Sequence, residues 1–147
     1  ARRLLGSLVY KDYHALLHAV GAIGGMALSA YPVAMAITNG AAGGGIPKDI
    51  PAFVVRPQPK TYGMARQIEG LDLENLDSRD VLVVDDVVTT GRSMIQAITV
   101  CRAHGLLVKH ALAVVERDEG GRQAIENVGV SLHALYSWQD ILVAARE

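Results

Sequence analysis

The chain has 147 residues, half of them hydrophobic, and a formal net charge of −1 at pH 7. That length suits one domain, spanning 1–147, with a sizeable core, and so balanced a charge suggests neither nucleic-acid affinity nor an acidic tail. A single cysteine, Cys101, excludes an internal disulfide framework and a cysteine-rich zinc site. On the apolar side of a predicted helix it reads as a buried structural thiol, and such usage fits a reducing cytoplasm.

In chain order, Leu4 to Val20 is helical in pattern, and Ala19 to Ile23 is expected to form the first core strand, ending at a Gly24-Gly25 turn. Met26 to Thr38 has helical composition with Pro32 as an irregularity, and Gly40 to Pro47 reads as a flexible linker. Ala52 to Arg56 reads as a second strand. Pro57 to Gly70 shows no hydrophobic period, which inside a compact domain marks a functional loop or lid. Leu71 to Asp80 is an acidic connector. Val81 to Val84 is apolar and mostly β-branched, as suits a strand buried on both faces. Ser93 to His104 follows as a helix closed by Gly105, then a strand over Leu106 to Val115, a helix over Gly121 to Asn127, a strand over Val130 to Leu135 and a closing helix over Trp138 to Arg146. The alternation predicts an α/β fold: an open, mainly parallel sheet flanked by helices, with a Rossmann-like core.

Tyr13 to Pro47 contains no Asp, Glu, Lys or Arg and is long enough to span a bilayer. Its glycines, histidines and Pro32 interrupt it too often for a spanning helix. It is read as a buried strand, a turn and a core-facing helix; no membrane association is expected, and no secretory signal pattern precedes it.

The chemistry concentrates in Val81 to Ser93, Val-Leu-Val-Val-Asp-Asp-Val-Val-Thr-Thr-Gly-Arg-Ser. A strand, a short polar turn and a helix N-terminus make an anion site, because free backbone N–H groups and the positive end of the helix dipole face a bound phosphate. Gly91 lets the backbone approach, and the hydroxyls of Thr89, Thr90 and Ser93 can donate to phosphate oxygens. Asp85 and Asp86 would repel a bare phosphate, so they suit a ribose diol, or a magnesium ion through its waters. A plain helix cap is the bland alternative. It needs one such residue, whereas six carboxylate, hydroxyl or glycine positions fall within the nine residues from Asp85 to Ser93.

This stretch resembles the phosphoribosyl-diphosphate-binding signature of type I phosphoribosyltransferases. Three further stretches resemble the orotate phosphoribosyltransferases in particular. Val55-Arg56-Pro57-Gln58-Pro59-Lys60-Thr61-Tyr62-Gly63, with Ile68-Glu69-Gly70, is similar to their basic catalytic loop; Glu116 to Gly121 is similar to their Asp-Arg-x-Glu-x-Gly segment; Gly24-Gly25 with Pro32-Val33-Ala34 is similar to their first turn and helix.

The resemblance implies transfer of phosphoribose from 5-phosphoribosyl 1-diphosphate to orotate with Mg2+, giving orotidine 5'-monophosphate and diphosphate in pyrimidine biosynthesis. It implies Lys60 as the main catalytic cation, assisted by Arg56 and Tyr62. Gly24, Gly25, Asp85, Asp86, Val87, Val88, Thr89, Thr90, Gly91, Arg92 and Ser93 would bind phosphoribosyl diphosphate, and Thr89 with Arg117 would meet orotate. Mg2+ would be held mainly through the diphosphate and waters, without direct protein ligands. The loop Arg56 to Gly63 would reach across a homodimer.

Three departures stand out. Pro57 replaces a common second lysine, Tyr31 stands where a small or acidic residue is expected, and the N-terminal portion that helps cover orotate is expected to be short or missing. A purine-type phosphoribosyltransferase and a non-catalytic regulatory relative are the alternatives.

Overall fold

The computed structural model describes residues 2–43, 49–59 and 66–147. In chain order its elements are α1 (Arg2–Ala19), β1 (Ala22–Met26), α2 (Ala30–Gly43), β2 (Ala52–Val55), β3 (Ile68–Glu69), β4 (Val81–Val88), α3 (Arg92–Ala103), β5 (His110–Glu116), α4 (Gly121–Asn127), β6 (Ser131–Ser137) and α5 (Trp138–Ala144). The strands form one sheet in the order β3-β2-β1-β4-β5-β6. Every pairing is parallel except β2 with β3. The expected α/β sheet is therefore present, with one short antiparallel edge strand added.

Alternation along β4 shows why its run is apolar throughout. Val81 and Val83 enter one core with Met94, Ala97, Ile98 and Cys101 of α3 and Ile125 of α4. Leu82 and Val84 enter the other, with Val9 and Leu17 of α1 and Val33 and Ile37 of α2. Both faces are covered, so each residue from Val81 to Val84 is buried whichever way it points, and each fully buried aliphatic side chain contributes about 1.5–3 kcal/mol. Cys101 is buried, and burial pushes its thiol up to about 12, as a structural thiol requires.

Several boundaries differ from the sequence expectation, each for a packing reason. Gly24 and Gly25 do not form a turn after β1; they lie buried inside it. A Cβ on Gly24 would strike the Phe53 carbonyl and ring, and one on Gly25 would strike the Val84 carbonyl. The glycines let β1 sit tightly among its neighbours, and the turn falls instead at 27–29. Gly40 is not linker. It lies within α2 against Gly6 of α1, where either Cβ would meet the other helix's backbone. The strand at Val81 runs four residues further than its apolar core, because Asp85 to Val88 continue the ladder with β5. The stretch 57–70, expected to be a functional loop or lid, contains an unforeseen strand, β3, pairing Val54 with Glu69 and Val55 with Ile68.

Tyr13 to Pro47 is divided among the end of α1, β1 and α2 within the described residues. No helix among the described residues is long and apolar enough to cross a membrane.

Candidate functional site

Because β1, β2, β4, β5 and β6 run parallel, their carboxyl ends open on one rim, where ligands of such sheets bind. Register defines the centre of that rim. Val88 pairs with Glu116, and Glu116 with Ser137. Thr89, Arg117 and Trp138 thus follow in a row, one residue beyond three neighbouring strands. The Arg117 amide donates to the Val88 carbonyl at 2.9 Å, so its backbone abuts the start of the loop after β4.

That loop carries the candidate anion site. Gly91 caps α3 with φ 83°, a left-handed conformation that L side chains rarely adopt. No side chain caps the helix, which leaves its first amides for a ligand. Thr89, Thr90, Gly91, Arg92 and Ser93 surround, with Asp85, a pocket of about 50 Å³, the scale of one small anion rather than a whole nucleotide. Behind it lies Gly121, the first residue of α4. A Cβ there would come within 2.5 Å of Val88 Cγ1 and 2.6 Å of the Thr89 carbonyl. Gly121 therefore sets how closely α4 supports the loop, and its distance in sequence from Thr89 hides that role.

The two carboxylates differ sharply. Asp85 is 5% exposed, the one buried charged side chain among the described residues. Its Oδ1 accepts from Ser29 Oγ at 2.8 Å and from the Asp86 amide at 2.9 Å. Burial, with a smaller push from the Asp86 side chain, raises its carboxyl to about 6, while the hydrogen bonds from Ser29 and the Asp86 amide pull it back. Asp86 points to solvent, and its Oδ1 accepts from the Val87 amide at 2.7 Å. One carboxylate is built into the floor and the other is open to a ligand. Ser29, which the sequence did not single out, joins the turn after β1 to this floor. Gly24 and Gly25 sit beneath that turn rather than in it, and Leu28 within it is exposed with φ 73°.

At the end of β2, Arg56 Nη2 donates to Glu69 Oε2 at 3.1 Å, and Nε lies 3.0 Å from Oε1. The pair clamps the base of the loop across β2 and β3. Gln67 adds a bond to the Arg56 carbonyl at 2.9 Å, and Gln96 of α3 one to the Pro57 carbonyl at 3.2 Å. Lys60 and Tyr62 lie outside the described residues. A largely apolar cavity of about 810 Å³ adjoins this corner, lined among others by Leu28, Tyr31, Arg56, Pro57 and Glu69.

Arg117 is not in the phosphate pocket. Its guanidinium carbon lies 4.7 Å from the centre of the Trp138 ring, and its Nε is 3.5 Å from Glu119 Oε1. Both line a second pocket, of about 540 Å³, towards α4 and α5. The strands thus bring Asp85, Asp86, Thr89, Thr90, Gly91 and Ser93 together, with Arg56 and Arg117 on either side.

A mainly parallel sheet with paired acids, a hydroxyl-rich turn at a helix N-terminus and flanking guanidiniums along one rim defines an α/β domain with a candidate ligand site at its strand ends. Comparison with known proteins makes this specific. A model described as a phosphoribosyl transferase domain matches residues 25–142, and the chain belongs to that family. It is 46% identical over 121 residues to the orotate phosphoribosyltransferase of Aquifex aeolicus (strain VF5), covering 82% of this chain and 63% of that one. Among solved structures it is similar to Mycobacterium tuberculosis H37Rv orotate phosphoribosyltransferase in complex with Fe(III) dicitrate, with TM-score 0.80 and 34% identity over 95% of this chain and 74% of that one. The same enzyme in complex with 5-phospho-alpha-D-ribosyl 1-diphosphate gives TM-score 0.77 and 32% identity, over 95% and 75% of the two chains. The chain spans under two thirds of the length of the first curated relatives it matches.

Proposed function

We propose that this chain is the catalytic core of an orotate phosphoribosyltransferase, a pentosyltransferase that joins 5-phosphoribosyl 1-diphosphate and orotate to give orotidine 5'-monophosphate and diphosphate. The observation that carries the proposal is the loop from Asp85 to Ser93, seated at a strand end with Gly91 opening the N-terminus of α3. The substrate bound in the Mycobacterium tuberculosis structure supports it.

The chemistry follows from charge. Breaking the anomeric bond builds positive charge on the ribose and negative charge on the departing diphosphate, and no covalent nucleophile is required. Thr89, Thr90, Gly91, Arg92 and Ser93 hold the 5-phosphate, with Val87 and Val88 shaping the approach. The exposed Asp86 takes the ribose hydroxyls, with Asp85 beneath it. Arg56, Lys60 and Tyr62 serve the diphosphate, where cationic donors are worth most in the transition state. Arg117 and Thr89 take the carboxylate of orotate, which suits a bidentate guanidinium.

Mg2+ is part of this reading. The exposed Asp86 carboxylate and the diphosphate oxygens are hard oxygen donors that suit it through water, and when bound it neutralises charge on the leaving group. No group of three or more His, Cys, Asp or Glu side chains that could hold a metal occurs among the described residues. A homodimer sharing the loop Arg56 to Gly63, and a cytoplasmic location, complete the proposal.

Following orotate absorbance with phosphoribosyl diphosphate and Mg2+ tests it. Consumption of orotate is expected. Turnover with a purine base alone would overturn the substrate, and binding of phosphoribosyl diphosphate without turnover of any base would favour a regulatory relative.

A further inference from the structure

Trp138 is the chain's one tryptophan, the first residue of α5, and the in-register neighbour of Arg117 at the strand ends. The Arg117 guanidinium lies over its ring at 4.7 Å. Stacking uses the face of a guanidinium and leaves the N–H groups at its edge available, which is how arginine combines an aromatic platform with bidentate recognition of a carboxylate. Glu119, 3.5 Å from Nε, restrains the same group from another side. The row Thr89, Arg117, Trp138 places the indole behind Arg117 as seen from the phosphate loop.

α5 contributes no buried side chain among the described residues, and its start is secured by a capping box between Ser137 and Asp140. Trp138 is half-buried, and its ring contact is with Arg117.

We propose that Trp138 is the positioning residue for Arg117, holding the guanidinium plane so that its edge is presented to a planar carboxylate-bearing base. This rests on the reading of Arg117 as the group that meets orotate. A long arginine otherwise surrenders rotamer freedom when the base binds. Paying that cost in the free protein favours binding of the base without altering the bond-breaking step.

The test uses the wild-type chain with Trp138→Ala, Trp138→Phe and Arg117→Ala. Trp138→Ala should raise KM for orotate about two- to tenfold, the size of a partly exposed cation–π contact. KM for phosphoribosyl diphosphate and kcat should stay within about twofold of wild type, because the phosphate loop is untouched. Trp138→Phe should restore most of the orotate affinity. An unchanged or lower orotate KM in Trp138→Ala overturns the proposal, as does a parallel rise in both KM values, which would mark general loosening. The contact itself is read without substrate: Arg117→Ala should alter the emission of the single tryptophan, and an identical spectrum overturns the stack. A wild-type chain that consumes no orotate removes the substrate reading, and with it the base this platform serves, while the emission experiment still decides the stack separately.

Discussion

Ser29 Oγ donates to Asp85 Oδ1 across 2.8 Å, tying the turn after β1 to the buried carboxylate of β4. The bond spans 56 positions of sequence and fixes the floor of the site. It also keeps a carboxylate in a place that burial disfavours.

The pH dependence of stability follows. The Asp85 carboxyl is raised from an ordinary 3.8 to about 6, with burial as the main cause. Between about pH 4 and 6 the unfolded chain has released this proton while the folded chain retains it. Asp85 therefore makes stability fall as pH rises through that window and remain lower above it, by on the order of 3 kcal/mol for a two-unit shift. Asp85→Asn keeps an acceptor for Ser29 and the Asp86 amide but carries no charge. We expect its Tm at pH 7.5 to exceed that of wild type and the difference to shrink below pH 5, while phosphoribosyl transfer falls. Thermal melts across pH 4 to 8 check this, and a lower Tm for the variant at pH 7.5 would contradict it.

Gly121 is the structural support of the loop after β4. Gly121→Ala would force Val88 and Thr89 away from α4, at a cost of about 1–3 kcal/mol for overpacking. The expected result is a lower Tm together with a raised KM for phosphoribosyl diphosphate. A variant with unchanged KM and Tm would show that α4 yields without disturbing the loop.

Arg56 offers a contrast, because its pair with Glu69 is more than a third exposed on both sides. Such pairs contribute about 0–1 kcal/mol. Arg56→Ala should therefore leave Tm nearly unchanged but lower kcat by about 10²- to 10³-fold, the size expected for one lost transition-state donor. Denaturation and steady-state kinetics on the same preparation separate the two effects.

Lys60→Ala is expected to lower kcat by a similar factor, about 10²- to 10³-fold, with folding intact. If the loop acts across a dimer, mixing Lys60→Ala with Asp85→Asn should regain activity, since some heterodimers would hold one site with both residues native. Verified heterodimers without any recovery would confine Lys60 to its own subunit.

Local pattern was enough for the parts of this protein that are local. The β-branched run at Val81, the hydroxyls and glycine after it, and the helix closed by Gly105 each carry their cause within a few residues. The charged run Glu116 to Glu119 likewise announced a strand end. Helix and strand boundaries failed where a distant partner decided them: Gly24 and Gly25 read as a turn until Phe53 and Val84 occupied the space their side chains would need, and Gly40 read as linker until Gly6 met it.

By itself, then, the amino-acid sequence determined the fold class and the strand–turn–helix from Val81 to Ser93, because strand burial and helix initiation depend on neighbours in the chain. Only the tertiary structure decided which groups act together. Parallel register set Arg117 between Thr89 and Trp138, close packing put Gly121 behind the loop, and Ser29 reached Asp85 from the turn after β1. Those pairings arise from side chains meeting across a folded sheet, and no spacing in the sequence encodes them.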